Sequence, residues 1–265
     1  MYNNKMVWIT GASSGIGEAL SYQFAAQGAG LVLSARREAE LERVKLECID
    51  RGADASRVWV MPLDVAKVDT LPQIVEHVWS ECGPVDLLIN NAGISQRSLC
   101  KDTDIEVYRR LLDVDVLGQI ALTRELLPYL LERGSGQLAV TSSVAGKVGV
   151  KYRTGYCAAK HAVLGFFDAL RAEVSESGLS VSTIIPGFIK TDVARNALVG
   201  DGEACGETDA DIEGGMNVTR CAKVIVKGLA ARCPEIVVGE GKEMKILWLK
   251  RLWPSLVYKL VAQRV

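Results

Sequence analysis

Met6-Val7-Trp8-Ile9-Thr10-Gly11-Ala12-Ser13-Ser14-Gly15-Ile16-Gly17 is the stretch on which the reading of this chain turns. Met6–Thr10 is a short apolar run of strand character. The residues after it place Ile16, Ala19, Leu20 and Phe24 on one helical face, with Gly28 as the expected stop. Between strand and helix lies a turn with three glycines. Glycine permits a tight bend and lets backbone come close to a pyrophosphate, while the free N–H groups of a helix start favour an anion. Such turns are common in isolation; a strand before it and a helix after it give this one meaning. Gly11, Ser13, Ser14 and Ile16 are its candidate phosphate contacts.

Outward from this turn, short apolar runs alternate with helical periodicity. Strands are expected at Leu31–Ser34, Val58–Met61, Leu87–Asn90, Leu138–Thr141, Val181–Ile185 and Ile236–Val238. Leu71, Ile74, Val75, Val78, Trp79 and Cys82 form a helical stripe that ends at Gly83. Strands buried on both faces and separated by helices imply a parallel sheet covered on both sides. The fold class is therefore α/β: a single-domain Rossmann fold, a doubly wound seven-stranded parallel sheet with helices on both faces, over residues 1–240. Two segments break the pattern. Residues 192–217, rich in Gly and acidic residues, leave the carboxyl end of the sixth strand, where open α/β sheets bind ligands. They read either as a lid over substrate or as a disordered surface excursion. Residues 241–265 form an apolar and basic extension.

The end of the second strand bears on the cofactor. A carboxylate there would bind the ribose 2′-hydroxyl of NAD, and an arginine would accommodate a 2′-phosphate. The sequence reads Ser34-Ala35-Arg36-Arg37, with no acid before Glu38. Guanidinium suits phosphate by geometry and charge. NADP(H) is the expectation, with Arg36 as the contact; a solvated basic helix start is the plainer alternative.

Tyr156-Cys157-Ala158-Ala159-Lys160 opens a helix whose apolar face continues through Val163, Leu164, Phe167 and Leu170. Residues four apart share a helix face. A phenol is a poor base at neutral pH unless a nearby cation favours its ionised form, and Lys160 lies one turn away. Upstream, Thr141-Ser142-Ser143-Val144-Ala145-Gly146 falls at the carboxyl end of the fifth strand. A hydroxyl there could donate to a substrate carbonyl, or merely cap a turn.

With these motifs in order, the chain resembles the short-chain dehydrogenase/reductase family in its compact single-domain branch, over about residues 5 to 240. Thr10–Gly17 matches the TGxxxGxG turn, Asn90-Asn91-Ala92-Gly93 the NNAG strand end, and Tyr156 with Lys160 the YxxxK pair. Ser143 stands where the family places its serine, and Pro186-Gly187 followed by Ile189 and Thr191 matches the PG segment. The resemblance implies Asp64 and Val65 beside the adenine, and Asn91, Ala92 and Gly93 in the cofactor cleft. It places Ile189 and Thr191 near nicotinamide and phosphates. Ser143, Tyr156 and Lys160 become the catalytic residues. Ser143 and Tyr156 would hold a small-molecule carbonyl or alcohol, and Tyr156 and Lys160 would also touch the cofactor. Family members commonly pair through two long helices, here around residues 113–133 and 156–177, which implies a homodimer or homotetramer. The stretch 140–174 looks like microsomal hydroxysteroid dehydrogenases, a group that takes lipophilic carbonyls. One position departs. The family usually has asparagine three residues before the glycine of the following helix, where it supports a water chain to the lysine; here Asp115 stands there, before Gly118. A carboxylate stabilises the lysine cation but lacks the amide donor, so activity with altered pH behaviour is expected. A cofactor-binding regulatory or scaffold protein of the same fold is the alternative.

The totals narrow the classes further. A net charge of -1 gives no reason to expect nucleic acid as a partner. Seven cysteines without a CxxC pair fit reduced thiols, and His77 and His161 are the only histidines, so no metal site is expected. The chain runs from Met1 almost directly into a strand, with no cleavable leader in view, so a cytoplasmic location is expected. Asn217-Val218-Thr219 reads as a chance glycosylation match. Between Ile246 and Val261, Leu249, Leu252, Trp253, Leu256 and Leu260 fall on one helical face, with Trp248 and Tyr258 nearby and Lys250, Arg251, Lys259 and Arg264 as cations. The run is too short and too charged to span a bilayer, and Pro254 would kink it. Peripheral contact with a membrane surface, packing over the substrate cleft and burial in a dimer contact remain open readings.

Overall fold

The computed structural model describes residues 1–208 and 210–263. Seven strands, β1 (Met6–Thr10), β2 (Gly30–Ser34), β3 (Val58–Val60), β4 (Leu87–Asn90), β5 (Gly136–Thr141), β6 (Leu179–Pro186) and β7 (Glu235–Val238), form one sheet in the order β3-β2-β1-β4-β5-β6-β7. Every pairing is parallel. The chain winds outward from β1 to β3, then returns to place β4 on the other side of β1. That reversal opens a crevice beyond the carboxyl ends of β1 and β4, where a doubly wound sheet takes its ligand.

Helices α1 (Gly15–Ala25), α2 (Glu38–Asp50), α3 (Leu71–His77), α4 (Ile105–Leu112), α5 (Gly118–Arg133), α6 (Thr154–Glu173), α7 (Ala210–Glu213), α8 (Val218–Ala230), α9 (Lys242–Leu252) and α10 (Pro254–Ala262) complete the described chain. Side chains alternate across a strand, and β1 shows the consequence. Val7 and Ile9 enter a core with Leu20 and Phe24 of α1, Leu41 of α2 and Ile225 of α8. Trp8 enters the opposite core with Val75 of α3, Leu126 of α5 and Phe167 of α6. Trp8 is fully buried and its indole N–H donates to Ser34 Oγ at 2.9 Å, so its one polar group is paired.

All seven strands fall where the apolar runs predict them. α1 runs to Ala25 and is closed at Gly28 as expected: Gly28 is left-handed at φ 74°, its N–H donates to the Ala25 carbonyl and the Ala29 N–H to that of Phe24. The stripe that ends at Gly83 widens into a π-helical turn over Val78–Cys82. A second π-helical turn, Asp113–Leu117, joins α4 to α5. Asn217, within the glycosylation match, caps α8 by accepting from the N–H groups of Thr219 and Arg220.

Residues 192–208 and 210–217 are mostly exposed but anchored to the domain at a few buried positions. Ala194, Ala197 and Leu198 are buried, and the Leu198 N–H donates to the Ser95 carbonyl at 2.8 Å. The C-terminal face expected of one helix is divided between two. Proline lacks an N–H and clashes with the preceding turn, so α9 ends at Leu252 and α10 starts at Pro254. Among the cations expected there, Arg264 lies outside the described residues.

Candidate active site

The switch-point crevice is a cleft of about 950 Å³. Its floor is the turn between β1 and α1. Gly11 sits at φ 66°, a left-handed conformation that favours glycine. A Cβ there would come within 2.9 Å of Ala92 Cα, so a side chain is excluded by space as well. Ser14 is extended, and the first turn of α1 presents N–H groups that have no partner within the helix. This cradle fits a pyrophosphate by shape and by charge.

Asn91 links three strand ends above the turn. Its amide donates to the Thr10 carbonyl at 3.1 Å, and its Oδ1 accepts from the Thr141 hydroxyl at 3.2 Å. Thr10 Oγ1 accepts from the N–H groups of Asn91 and Ala92, each at 3.0 Å. The Ala92 carbonyl accepts from Gln119 at 2.7 Å. The carboxyl ends of β1, β4 and β5 are therefore fixed before any ligand arrives.

Tyr156 and Lys160 lie in the first two turns of α6, and Ser143 begins the loop after β5; all three face the cleft. Ser143 does cap a short turn, because its Oγ accepts from the Ala145 N–H at 3.1 Å. That contact uses a lone pair and leaves its single O–H free to donate. Tyr156 is half-buried, and the Lys160 ammonium is 5.6 Å from its ring centroid. The α6 start is held by the buried Gln96, whose Oε1 accepts from the Gly155 N–H at 2.8 Å.

Lys160 is itself buried. Its Nζ donates to the Thr141 carbonyl at 3.1 Å and lies 3.0 Å from Asp115 Oδ2. The second approach is an ion-pair contact lying off the hydrogen-bonding direction. Asp115 Oδ1 accepts from the Ile94 N–H at 2.7 Å. Burial acts on Lys160 to lower its pKa, but Asp115 and Tyr156 together hold it above the ordinary lysine value. Burial pushes the Asp115 carboxyl up, against the opposing pull of Lys160. The geometry supports an ion pair, with the Lys160 ammonium 3.0 Å from one Asp115 oxygen and the Ile94 N–H donating to the other.

The cleft brings together all of Gly11, Ser13, Ser14, Ile16, Arg36, Asp64, Val65, Asn91, Ala92, Gly93, Ser143, Tyr156, Lys160, Ile189 and Thr191. Further residues join them that the sequence reading does not single out as site residues. Arg37 lines the cleft beside Arg36 and donates to Ser13 Oγ at 3.2 Å. Arg153 donates to Ser95 Oγ at 2.7 Å at the cleft wall. Ile246, Leu260 and Val261 reach it from the C-terminal helices. The Arg37–Ser13 and Arg153–Ser95 contacts depend on tertiary placement, whereas the C-terminal residues match the sequence reading of packing over the cleft.

The family model for short chain dehydrogenase matches residues 5–200. This protein is a member of the short-chain dehydrogenase/reductase family. Relatives include dehydrogenase/reductase SDR family member 7 of Homo sapiens, 38% identical over 94% of this chain and 74% of that one. An SDR family protein 7-like dehydrogenase/reductase of Drosophila melanogaster is 40% identical over 98% of this chain and 80% of its own. Among solved structures, a short-chain dehydrogenase/reductase of Burkholderia phymatum in complex with NAD superposes with a TM-score of 0.84 at 23% identity, covering 96% of this chain and 95% of that one. A gluconate 5-dehydrogenase-like protein of Beutenbergia cavernae with bound NADP gives a TM-score of 0.68 at 28% identity, covering 72% and 75%. The short-chain dehydrogenase/reductase is thus an oxidoreductase-family protein whose structural neighbours hold either nicotinamide dinucleotide.

Proposed function

We propose that this short-chain dehydrogenase/reductase is an NADP(H)-dependent enzyme that interconverts a ketone or aldehyde and an alcohol, with Tyr156 as general acid and base. One observation carries the reading: Ser143, Tyr156 and Lys160 share a cleft with the glycine turn of β1–α1. A bound nicotinamide supplies or accepts the hydride. Ser143, its hydroxyl hydrogen uncommitted, donates to the carbonyl oxygen and holds it near the phenol. In reduction Tyr156 Oη gives its proton to that oxygen; in oxidation it takes one from the alcohol. The Lys160 ammonium favours the phenolate left behind, and Asp115 keeps that ammonium charged inside the protein.

The preference for NADP(H) rests on Arg36 and Arg37, two exposed guanidinium groups at the end of β2 with no carboxylate before Glu38. A 2′-phosphate finds two cations there, whereas the 2′-hydroxyl of NAD finds no acceptor. Val144, Val148, Phe188 and Ile246 give the cleft an apolar wall, with Arg153 and Asn196 among the polar residues beside it, and that wall favours a lipophilic substrate. Val193, Leu198 and Ile212 line it from above, so we read residues 192–217 as the substrate cover. Leu117 and Leu131, at the two ends of α5, are exposed and suit a homodimer or homotetramer contact.

The test is consumption of NADPH and of NADH across ketones and aldehydes graded by size and polarity. Turnover is expected with NADPH and to rise with apolar character. Cofactor binding without hydride transfer to any carbonyl would instead favour a regulatory or scaffold role.

A further inference from the structure

Helices α9 and α10 pack one side onto the domain and turn the other to solvent. We propose that this outer side seats on an anionic lipid surface, from which a lipophilic substrate enters the cleft past Leu260. The route into the cleft rests on the proposed function; the lipid contact rests on the surface alone.

The inner side is anchored. Val257 is fully buried, and Met244, Ile246 and Leu247 pack against Val144, Leu164 and Ile185. Glu243 is buried, and its Oε1 accepts from the N–H groups of Phe188 at 3.2 Å and Gly241 at 3.3 Å. The outer side is the reverse. Trp248 is 72% exposed, Leu252 80% and Trp253 64%. Among the described residues, six of the seventeen exposed large apolar side chains fall within residues 248–260. The others are scattered along the chain, whereas a contiguous apolar face marks a contact surface.

Charge selects the partner. Residues 242–263 carry Lys242, Lys245, Lys250, Arg251 and Lys259 against one carboxylate, that of Glu243, which is turned inward. A second copy of this chain on a two-fold axis would bring two patches of the same positive charge together, since such a contact joins the same patch twice. An anionic surface accepts them. Tryptophan and tyrosine among lysines suit the headgroup level of a bilayer, and the Lys250 ammonium lies 4.9 Å over the Tyr258 ring. Among the described residues no helix is long and apolar enough to cross a membrane. The two short helices therefore lie along the interface. Leu260 is 45% exposed and also lines the cleft, so the apolar face continues into the cleft mouth.

The experiment is co-sedimentation of the full chain with vesicles of phosphatidylcholine alone or mixed with phosphatidylglycerol, at low and high salt. The protein is expected to sediment with the mixed vesicles and to be released by salt. Trp248→Ser with Leu252→Ser, both outside the cleft, should weaken binding by about tenfold or more, with turnover of a water-soluble carbonyl unchanged. Lys245→Glu with Arg251→Glu should weaken it on a surface that stays apolar. Full-length protein left in the supernatant at low salt would overturn the proposal. So would binding indifferent to both pairs of substitutions, or a dimer in solution that the Trp248/Leu252 variant dissociates. If vesicles bind but no carbonyl is turned over, the lipid contact stands and the proposed activity falls; soluble turnover without vesicle binding is the opposite outcome.

Discussion

The Lys160 ammonium and the Asp115 carboxylate meet at 3.0 Å inside the protein, one from α6 and the other from the π-helical turn between α4 and α5. The wider turn joins two helices and leaves Asp115 fully buried beneath Gly93. π-helical turns recur at functional sites because they redirect one side chain without ending the helix.

Asp115→Asn removes the carboxylate that holds the lysine pKa up and leaves burial, which lowers it, less opposed. Lys160 then loses its proton at a lower pH. The alkaline limb of kcat/KM should move toward neutrality, with turnover near neutral pH retained. Stability follows the same sign: in the native protein the ammonium stabilises the fold below the ordinary lysine pKa. That contribution is lost as pH rises through the elevated folded value, and earlier in the variant. A pH–rate profile and a pH–Tm series identical to those of the native protein would contradict the assignment.

Asp115→Ala goes further, because it leaves Lys160 without its counter-charge and the Ile94 N–H without its acceptor. Breaking a buried pair from one side costs about 3–5 kcal/mol. Urea unfolding should show a loss of this size, and a midpoint unchanged from the native protein would mean the pair stabilises nothing.

Tyr156→Phe deletes one oxygen at the cleft and keeps the ring that packs beside Lys160. If the phenol moves the proton, kcat should fall by roughly 10²–10⁴-fold. Cofactor affinity, followed by fluorescence titration, should stay close to native. Turnover within about threefold of native would remove Tyr156 from the chemistry.

Gly93→Ala tests the space around the ion pair. The added Cβ would stand 3.2 Å from Lys160 Nζ and 3.3 Å from Asp115 Oδ2, tight enough that one of them must move. Loss is expected in kcat more than in KM, together with a shifted pH profile. A fall confined to KM would place the effect in binding instead.

The sheet was legible because each strand is a short apolar run with a helical stripe after it, a pattern local in sequence. Tyr156 and Lys160 were legible for the same reason, lying one turn apart on one helix. Arg37 was not, since its link to Ser13 spans two connections and nothing at the arginine encodes it. The role of Asp115 was half legible. Its place before Gly118 could be read, but its burial depends on a π-helical turn that no periodicity announces. The break at Pro254 was foreseen as a kink and packing over the cleft stood among the open readings, but periodicity alone did not say that α9 would supply it through Met244, Ile246 and Leu247 against Val144 and Ile185.

On the proposed function, Arg36 and Arg37 are the residues that would favour NADP(H) over NAD(H). Arg37 is tied to Ser13, in the turn that opens α1, so its guanidinium is held at the cleft beside Arg36. Hydrogen bonds to a charged group contribute about 1.5–3 kcal/mol each. Replacing both arginines by alanine should therefore weaken NADPH by roughly 100-fold or more, while NADH, which lacks the phosphate, changes little. Equilibrium binding of the two reduced dinucleotides to native and variant protein measures the difference. An equal loss for both would show that the arginines act on the shared pyrophosphate or on the fold. Native protein that binds NADH more tightly than NADPH would remove the 2′-phosphate from the argument altogether.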